Sequence, residues 1–127
     1  MKRKKGKKIL VVDDDKEPRL LLSEMLEDEG YDVTTAKDGK EAFKLLRRSS
    51  SDLVTTCIMM PNMDGLTLLR KIKEISPDTP VLIISAIASS REIAEKAIKD
   101  GASDCLSKPV TANELKGAVR KALKRRY

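Results

Sequence analysis

Five polar residues stand where strand-like runs stop: Asp13 and Asp14 after Ile9 to Val12, Cys57 at the end of Asp52 to Cys57, Ser85 after Val81 to Ile84, and Lys108 after Asp104 to Ser107. Two adjacent acids directly behind an apolar run make a metal or ion site. Lys108, followed by Pro109, is the natural partner to that acid excess. Ser85, taken alone, reads as a strand-end cap. Cys57 would be acidified by Lys108 and made more basic by the two aspartates, so the residues leave the sign of its pKa shift open. Nearby, Asp64-Gly65 reads as a turn and helix start, and Met59, Met60 and Met63 read as packing side chains. Thr55 and Thr56 suit a strand but need hydrogen-bond partners if buried.

For these residues to meet, the runs that carry them must lie side by side. Ile9 to Val12 and Val81 to Ile84 are short, continuous and β-branched, the pattern of strands covered on both faces. Between the runs the period changes to that of helices. Pro18 opens a helix over about 17–29 in which Leu21, Leu22, Met25 and Leu26 recur at helical spacing, and Gly30 stops it. Tyr31 to Thr35 is a second strand, followed by a helix capped by Asp38 with Glu41 reaching back and Ala42, Phe43, Leu45 and Leu46 inward. Asp52 to Cys57 is the third strand. Leu66, Leu69, Ile72 and Ile75 then set a helical stripe that Ser76-Pro77 closes. Ser89 with Glu92 offers a capping box for a helix carrying Ile93, Ala94, Ala97 and Ile98. Asp104 to Ser107 is a short fifth strand, and Thr111 with Glu114 caps a last helix with Leu115, Val119, Ala122 and Leu123 buried.

Five strands alternating with five helices call for a parallel sheet with helices on both faces, because parallel neighbours need crossover connections. In such sheets ligands bind at the carboxyl ends of the strands beside the topological switch point. For the strand order 2-1-3-4-5 that point lies between the first and third strands, where Asp13, Asp14 and Cys57 fall.

The chain's 127 residues suffice for one domain with one core. No apolar run is long enough to span a bilayer, and Ile9 to Val12 is too short for a signal peptide, so the expected location is the cytoplasm. The net charge of +6 is confined to the ends: residues 1–8 and 116–127 each hold six Lys/Arg and no acid, leaving the intervening body at −6. That distribution predicts basic ends at 1–8 and 125–127 around a domain over 9–124, and no direct nucleic-acid binding. Cys57 and Cys105 are too few and too widely spaced for a disulfide scaffold or a CxxC zinc motif. With the fourth strand between theirs they would lie roughly 9 to 10 Å apart, beyond disulfide reach.

Ile-Leu-Val-Val-Asp13-Asp14-Asp, Ile-Met-Met-Pro61-Asn-Met-Asp64-Gly65, Ile-Ile-Ser85-Ala86 and Gly101-Ala-Ser-Asp-Cys-Leu-Ser-Lys108-Pro109, in that order, resemble the receiver domain of bacterial two-component response regulators. The resemblance covers residues 9 to about 124. It implies a flavodoxin-like, three-layer α/β sandwich and a signalling module rather than an enzyme. It assigns Mg²⁺ to Asp13, Asp14 and the backbone carbonyl of Met59, phosphoryl sensing to Ser85, and the phosphoryl-holding cation to Lys108. These residue types suit those roles, since paired carboxylates favour a hard, oxygen-seeking cation and an ammonium and a hydroxyl can hold phosphoryl oxygens. The implied partners are a histidine kinase or phosphotransfer protein and a downstream effector, with the chain a monomer or weak homodimer. The resemblance also implies a cis peptide at Lys108-Pro109.

Two positions depart from the family pattern. Cys57 occupies the place of the phosphoacceptor aspartate, and a soft thiol replaces neither acyl-phosphate chemistry nor a Mg²⁺ ligand well. Cys105 occupies the place of an aromatic switch residue. The expectation is a receiver-type module that is not phosphorylated as it stands. Cys57 is open to three readings: a loss of the acceptor that is natural, one that is introduced, or a reactive thiol with its own role. The alternatives to a phosphorelay receiver are a phosphorylation-independent interaction scaffold and a thiol-based redox or soft-metal sensor.

Overall fold

The computed structural model describes residues 6–124. Strands β1 (Lys8–Val12), β2 (Asp32–Ala36), β3 (Leu53–Thr56), β4 (Val81–Ser85) and β5 (Asp104–Ser107) form one parallel sheet in the order β2-β1-β3-β4-β5. Helices α1 (Lys16–Asp28), α2 (Gly39–Arg48), α3 (Gly65–Ile75) and α4 (Arg91–Lys99) make the four crossovers, α5 (Ala112–Lys124) follows the last strand, and a 3-10 turn, Ala86–Ser89, leads from β4 into α4. This is the expected flavodoxin-like receiver fold.

Alternation along each strand sorts the core into two layers. Ile9, Val11, Leu53, Leu82 and Ile84 face α1 and α5, where Leu22, Leu26, Leu115 and Val119 meet them. Leu10, Val12, Val54 and Ile83 face the other helices, packing with Ala42, Leu68, Leu69, Ile72 and Ala97. Both sheet faces are therefore covered, and the strands' polar groups gather at the carboxyl edge.

Helix starts follow local chemistry. Asp38 accepts from the N–H of Glu41 at 2.8 Å, while Glu41 reaches back to the N–H of Lys37 at 2.9 Å. Thr111 and Glu114 form a reciprocal pair, each side chain accepting from the other's main-chain N–H, at 2.9 and 3.1 Å. The cap of α4 is Ser90 and not Ser89, because the 3-10 turn takes up Ser89 before the helix begins.

Not every apolar residue of the helical repeats is buried. Leu21, Ile75 and Ile98 are about half exposed, at 53%, 49% and 49%. Leu21 lies a helical step round from the Leu22–Leu26 stripe, and Ile75 is the last residue of a helix whose buried stripe is Leu68, Leu69 and Ile72. Met60 and Met63 pack on the core as expected, but the side chain of Met59 is 67% exposed. The basic stretches at 1–5 and 125–127 lie outside the described residues, and Lys8 begins β1. No helix among the described residues is long and apolar enough to cross a membrane.

Candidate functional site

Register brings the central residues together. Val12 of β1 lies opposite Thr56 of β3, so Asp13 and Cys57 are the next residues on adjacent parallel strands, and the N–H of Cys57 donates to the carbonyl of Val12 at 3.3 Å. On the other side Ser85 lies opposite Ser107, which places Lys108 one residue beyond the last β4–β5 pair. Its N–H donates to the carbonyl of Ser85 at 3.2 Å.

Asp13 is buried, 1% exposed, and both its oxygens are engaged. Oδ1 accepts the N–H of Asp15 at 3.0 Å, and Oδ2 accepts Nζ of Lys108 at 2.8 Å. The carbonyl of Asp13 is in turn held by Nη1 of Arg19 at 2.7 Å. A buried carboxylate is tolerable when its charge is matched and its lone pairs are used, and Lys108, Asp15 and the strand geometry supply both.

Asp14 is exposed at the rim, and its Oδ1 lies 3.6 Å from Sγ of Cys57. The carbonyl of Met59 is 3.9 Å from the same sulfur. One ligand atom each from Asp13, Asp14 and Cys57 falls within a 4.8 Å span. The Cys57 thiol is pushed up to about 12, chiefly by burial and next by the charge of Asp13, with Asp14 hydrogen bonding and Lys108 opposing. It is a protonated, weakly nucleophilic thiol at neutral pH.

The structure thus brings together Asp13, Asp14, Cys57, Lys108 and the Met59 carbonyl. Ser85 is buried at the same edge, 4% exposed, and joins the site through its main-chain carbonyl. Cys105 does not belong to the cluster. It is half-buried in β5 opposite Ile83, where it packs on the layer containing α2, α3 and α4, and both cysteines are free thiols. The Lys108–Pro109 bond is cis.

Two supporting residues escaped sequence reasoning. Arg19 reaches Asp13 from α1, a contact with no local signature. Gly65 begins α3 so close to β3 that a Cβ there would sit 1.8 Å from the carbonyl oxygen of Cys57. Its N–H donates to the carbonyl of Ile58 at 2.7 Å, and Asp64 caps the helix by accepting from Thr67 at 2.9 Å. The Asp-Gly pair was the visible signal, though it spoke of a turn and not of this close approach.

Comparison with known proteins agrees with this fold. Residues 9–120 match the response regulator receiver domain family. The chain is 42% identical over 115 residues to the transcriptional regulatory protein ZraR of Escherichia coli strain K12, a match covering 91% of this chain and 26% of that protein. It superposes on the receiver domain of Francisella response regulator 1452 with a TM-score of 0.89 at 37% identity, covering 96% and 100% of the two chains. A chain of the CheX-CheY-BeF3-Mg complex from Borrelia burgdorferi is similar at a TM-score of 0.87 and 29% identity, covering 92% and 89%.

Proposed function

The chain belongs to the response regulator receiver domain family, a regulatory module of two-component signalling, and from that premise we propose that it is a receiver whose phosphoacceptor position is held by Cys57 and which does not take a phosphoryl group as it stands. The observation that carries this reading is the placement of Cys57. Its thiol lies beside Asp13 and Asp14, with Lys108 bound to Asp13 at 2.8 Å. In this reading Asp13, Asp14 and the Met59 carbonyl are the cation side of the site, Lys108 and Ser85 the phosphoryl side, and Ser85 and Cys105 the switch positions. An acyl phosphate requires a carboxylate oxygen at the acceptor, and a protonated thiol offers none.

The donors fit Mg²⁺ poorly. That ion demands near-octahedral oxygen ligands at about 2.0–2.1 Å, and one of the three clustered ligand atoms is a neutral sulfur. The similar Borrelia burgdorferi chain is found in a complex with BeF3 and Mg, so Cys57 would weaken cation binding as well as phosphoryl acceptance.

Within residues 9–124 the chain would act in the cytoplasm as one receiver unit that regulates a partner by surface contact. Its partners would be a histidine kinase or phosphotransfer protein and an effector. It spans about a quarter of ZraR, so that protein's wider activity is not carried over. The test is intact mass of this chain and of Cys57→Asp after incubation with acetyl phosphate and Mg²⁺. Gain of one phosphoryl group by the aspartate variant alone is the expected result. Modification of the unaltered chain at Cys57 would sink the reading, and failure of both would favour a phosphorylation-independent interaction module.

A further inference from the structure

We propose that the Asp13–Asp14–Cys57 pocket selects a thiophilic divalent cation of the Zn²⁺ class over Mg²⁺. The proposal deepens the reading above and rests on it for the view that this strand edge is a cation pocket. The mismatch between the donor set and Mg²⁺ is its starting point.

Distance is the first argument. Zn²⁺ binds sulfur at about 2.3 Å and carboxylate oxygen at about 2.1 Å, and two such bonds at a tetrahedral angle put the ligand atoms about 3.6 Å apart. Sγ of Cys57 and Oδ1 of Asp14 are 3.6 Å apart. The Met59 carbonyl oxygen lies 3.9 Å from the same sulfur, close to that separation. Asp13 keeps Lys108 on Oδ2 and still has lone pairs for a metal, since a carboxylate offers about four acceptor sites.

Charge is the second. Two carboxylates and a thiolate against the Lys108 ammonium leave two negative charges, which one divalent ion neutralises. As the metal–sulfur bond forms, the thiol proton leaves to solvent, because a coordinating thiol is deprotonated outright. An aspartate in place of Cys57 would give the same charge, so the substitution acts on selectivity through softness and not on attraction as such.

The third is the state of the thiol itself. Cys57 is 3% exposed, and among the described residues its sulfur donates to Oδ1 of Asp14 at 3.6 Å and meets the Met59 carbonyl at 3.9 Å, both ordinary lengths for a thiol hydrogen bond. The thiol thus already points at oxygen atoms of the set, and a metal would replace those hydrogen bonds with a bond to sulfur.

The experiment titrates the full chain with Zn²⁺ against a chromophoric chelator in millimolar Mg²⁺, and with Co²⁺ while recording near-ultraviolet thiolate-to-metal charge transfer. One Zn²⁺ per chain and a charge-transfer band are expected. Cys57→Ser should lose the band and weaken Zn²⁺ by more than the roughly 10–100-fold that removal of a mere supporting partner costs. Cys105→Ser should keep both signals. Cys57→Asp should lose the band and bind Mg²⁺ better than the parent does, and it serves as the readout if Cys57→Ser fails to fold by circular dichroism. Absence of the band, or Zn²⁺ affinity unchanged in both Cys57 variants, would mean ions held only by surface carboxylates and would overturn the proposal. The two readings separate cleanly: phosphorylation of Cys57→Asp without thiolate–metal absorption in the parent leaves the receiver standing and removes the metal preference. The reverse pattern removes the reading of Cys57 as a silenced phosphoacceptor position and leaves a receiver fold carrying a thiolate metal site.

Discussion

Nζ of Lys108 lies 2.8 Å from Oδ2 of Asp13, tying the end of β5 to the end of β1 across the two strands between them. Asp13 is nearly inaccessible, and the Lys108 side chain keeps 23% of its exposure. Lys108→Ala should therefore lower stability by about 2 kcal/mol, less than the roughly 3–5 kcal/mol for breaking a pair sealed from water. Urea unfolding checks this. Pairing Lys108→Met with Asp13→Asn should recover part of the loss, and a single-variant change within about 0.5 kcal/mol would show the pair to be as weak as a surface bridge.

Alkaline pH should destabilise the protein through Cys57. Its folded pKa of about 12 lies above the ordinary value of 9.0, so the unfolded chain ionises first. Stability from this group is intact below pH 9.0 and falls as pH rises towards about 12, with a limiting slope of about 1.4 kcal/mol per pH unit. Denaturant midpoints of the parent and Cys57→Ser should diverge in slope across that window. Parallel curves would show that burial does not hold the proton.

Gly65→Ala should be among the most damaging single-methyl additions in the chain. The new Cβ meets the Cys57 carbonyl at 1.8 Å and its carbon at 2.8 Å, both main-chain atoms that cannot rotate away. Either α3 or the 57–65 loop must shift. A loss above about 3 kcal/mol is expected in thermal unfolding, in the range reserved for overpacking against backbone. Gly117→Ala, where nothing lies within 4 Å of the added carbon, is the control and should be neutral or stabilising.

Thr55→Val should stabilise. The Thr55 side chain is buried in the middle of β3 and its Oγ1 has no hydrogen-bond partner, whereas Thr56 donates to the Cys57 carbonyl at 2.9 Å. Removing an unsatisfied hydroxyl while keeping the branched shape recovers about 1 kcal/mol of desolvation. Thr56→Val should cost stability instead. Equal effects at the two positions, read from chemical denaturation, would refute the distinction.

Strand order and the polar edge were legible because each strand is a dense apolar run that stops at a charged or polar residue. Asp13 and Cys57 could be placed side by side on topology alone, and the structure has them one residue beyond a registered pair. What escaped depends on neighbours distant in sequence. Ser89 and Ser90 are chemically identical, and the exit geometry of β4 decides which one caps α4. Ile72 and Ile75 both fit an amphipathic stripe, but Ile75 is the last residue of α3 and lies half exposed at its end. The direction of the Cys57 shift was unreadable because opposing charges were visible and burial, the largest cause, was not.

The sheet's outer strands carry a different consequence. β2 and β5 are five and four residues long, and each opens with an aspartate, Asp32 and Asp104. The Asp104 side chain accepts from the main-chain N–H of Cys105 at 2.8 Å, taking up a donor that another strand would need. Short borders, repelling acids and a self-occupied amide are the devices that keep open sheets from growing by end-on addition. Such a domain can be joined to other modules, or held at high concentration, without its borders seeding cross-β association.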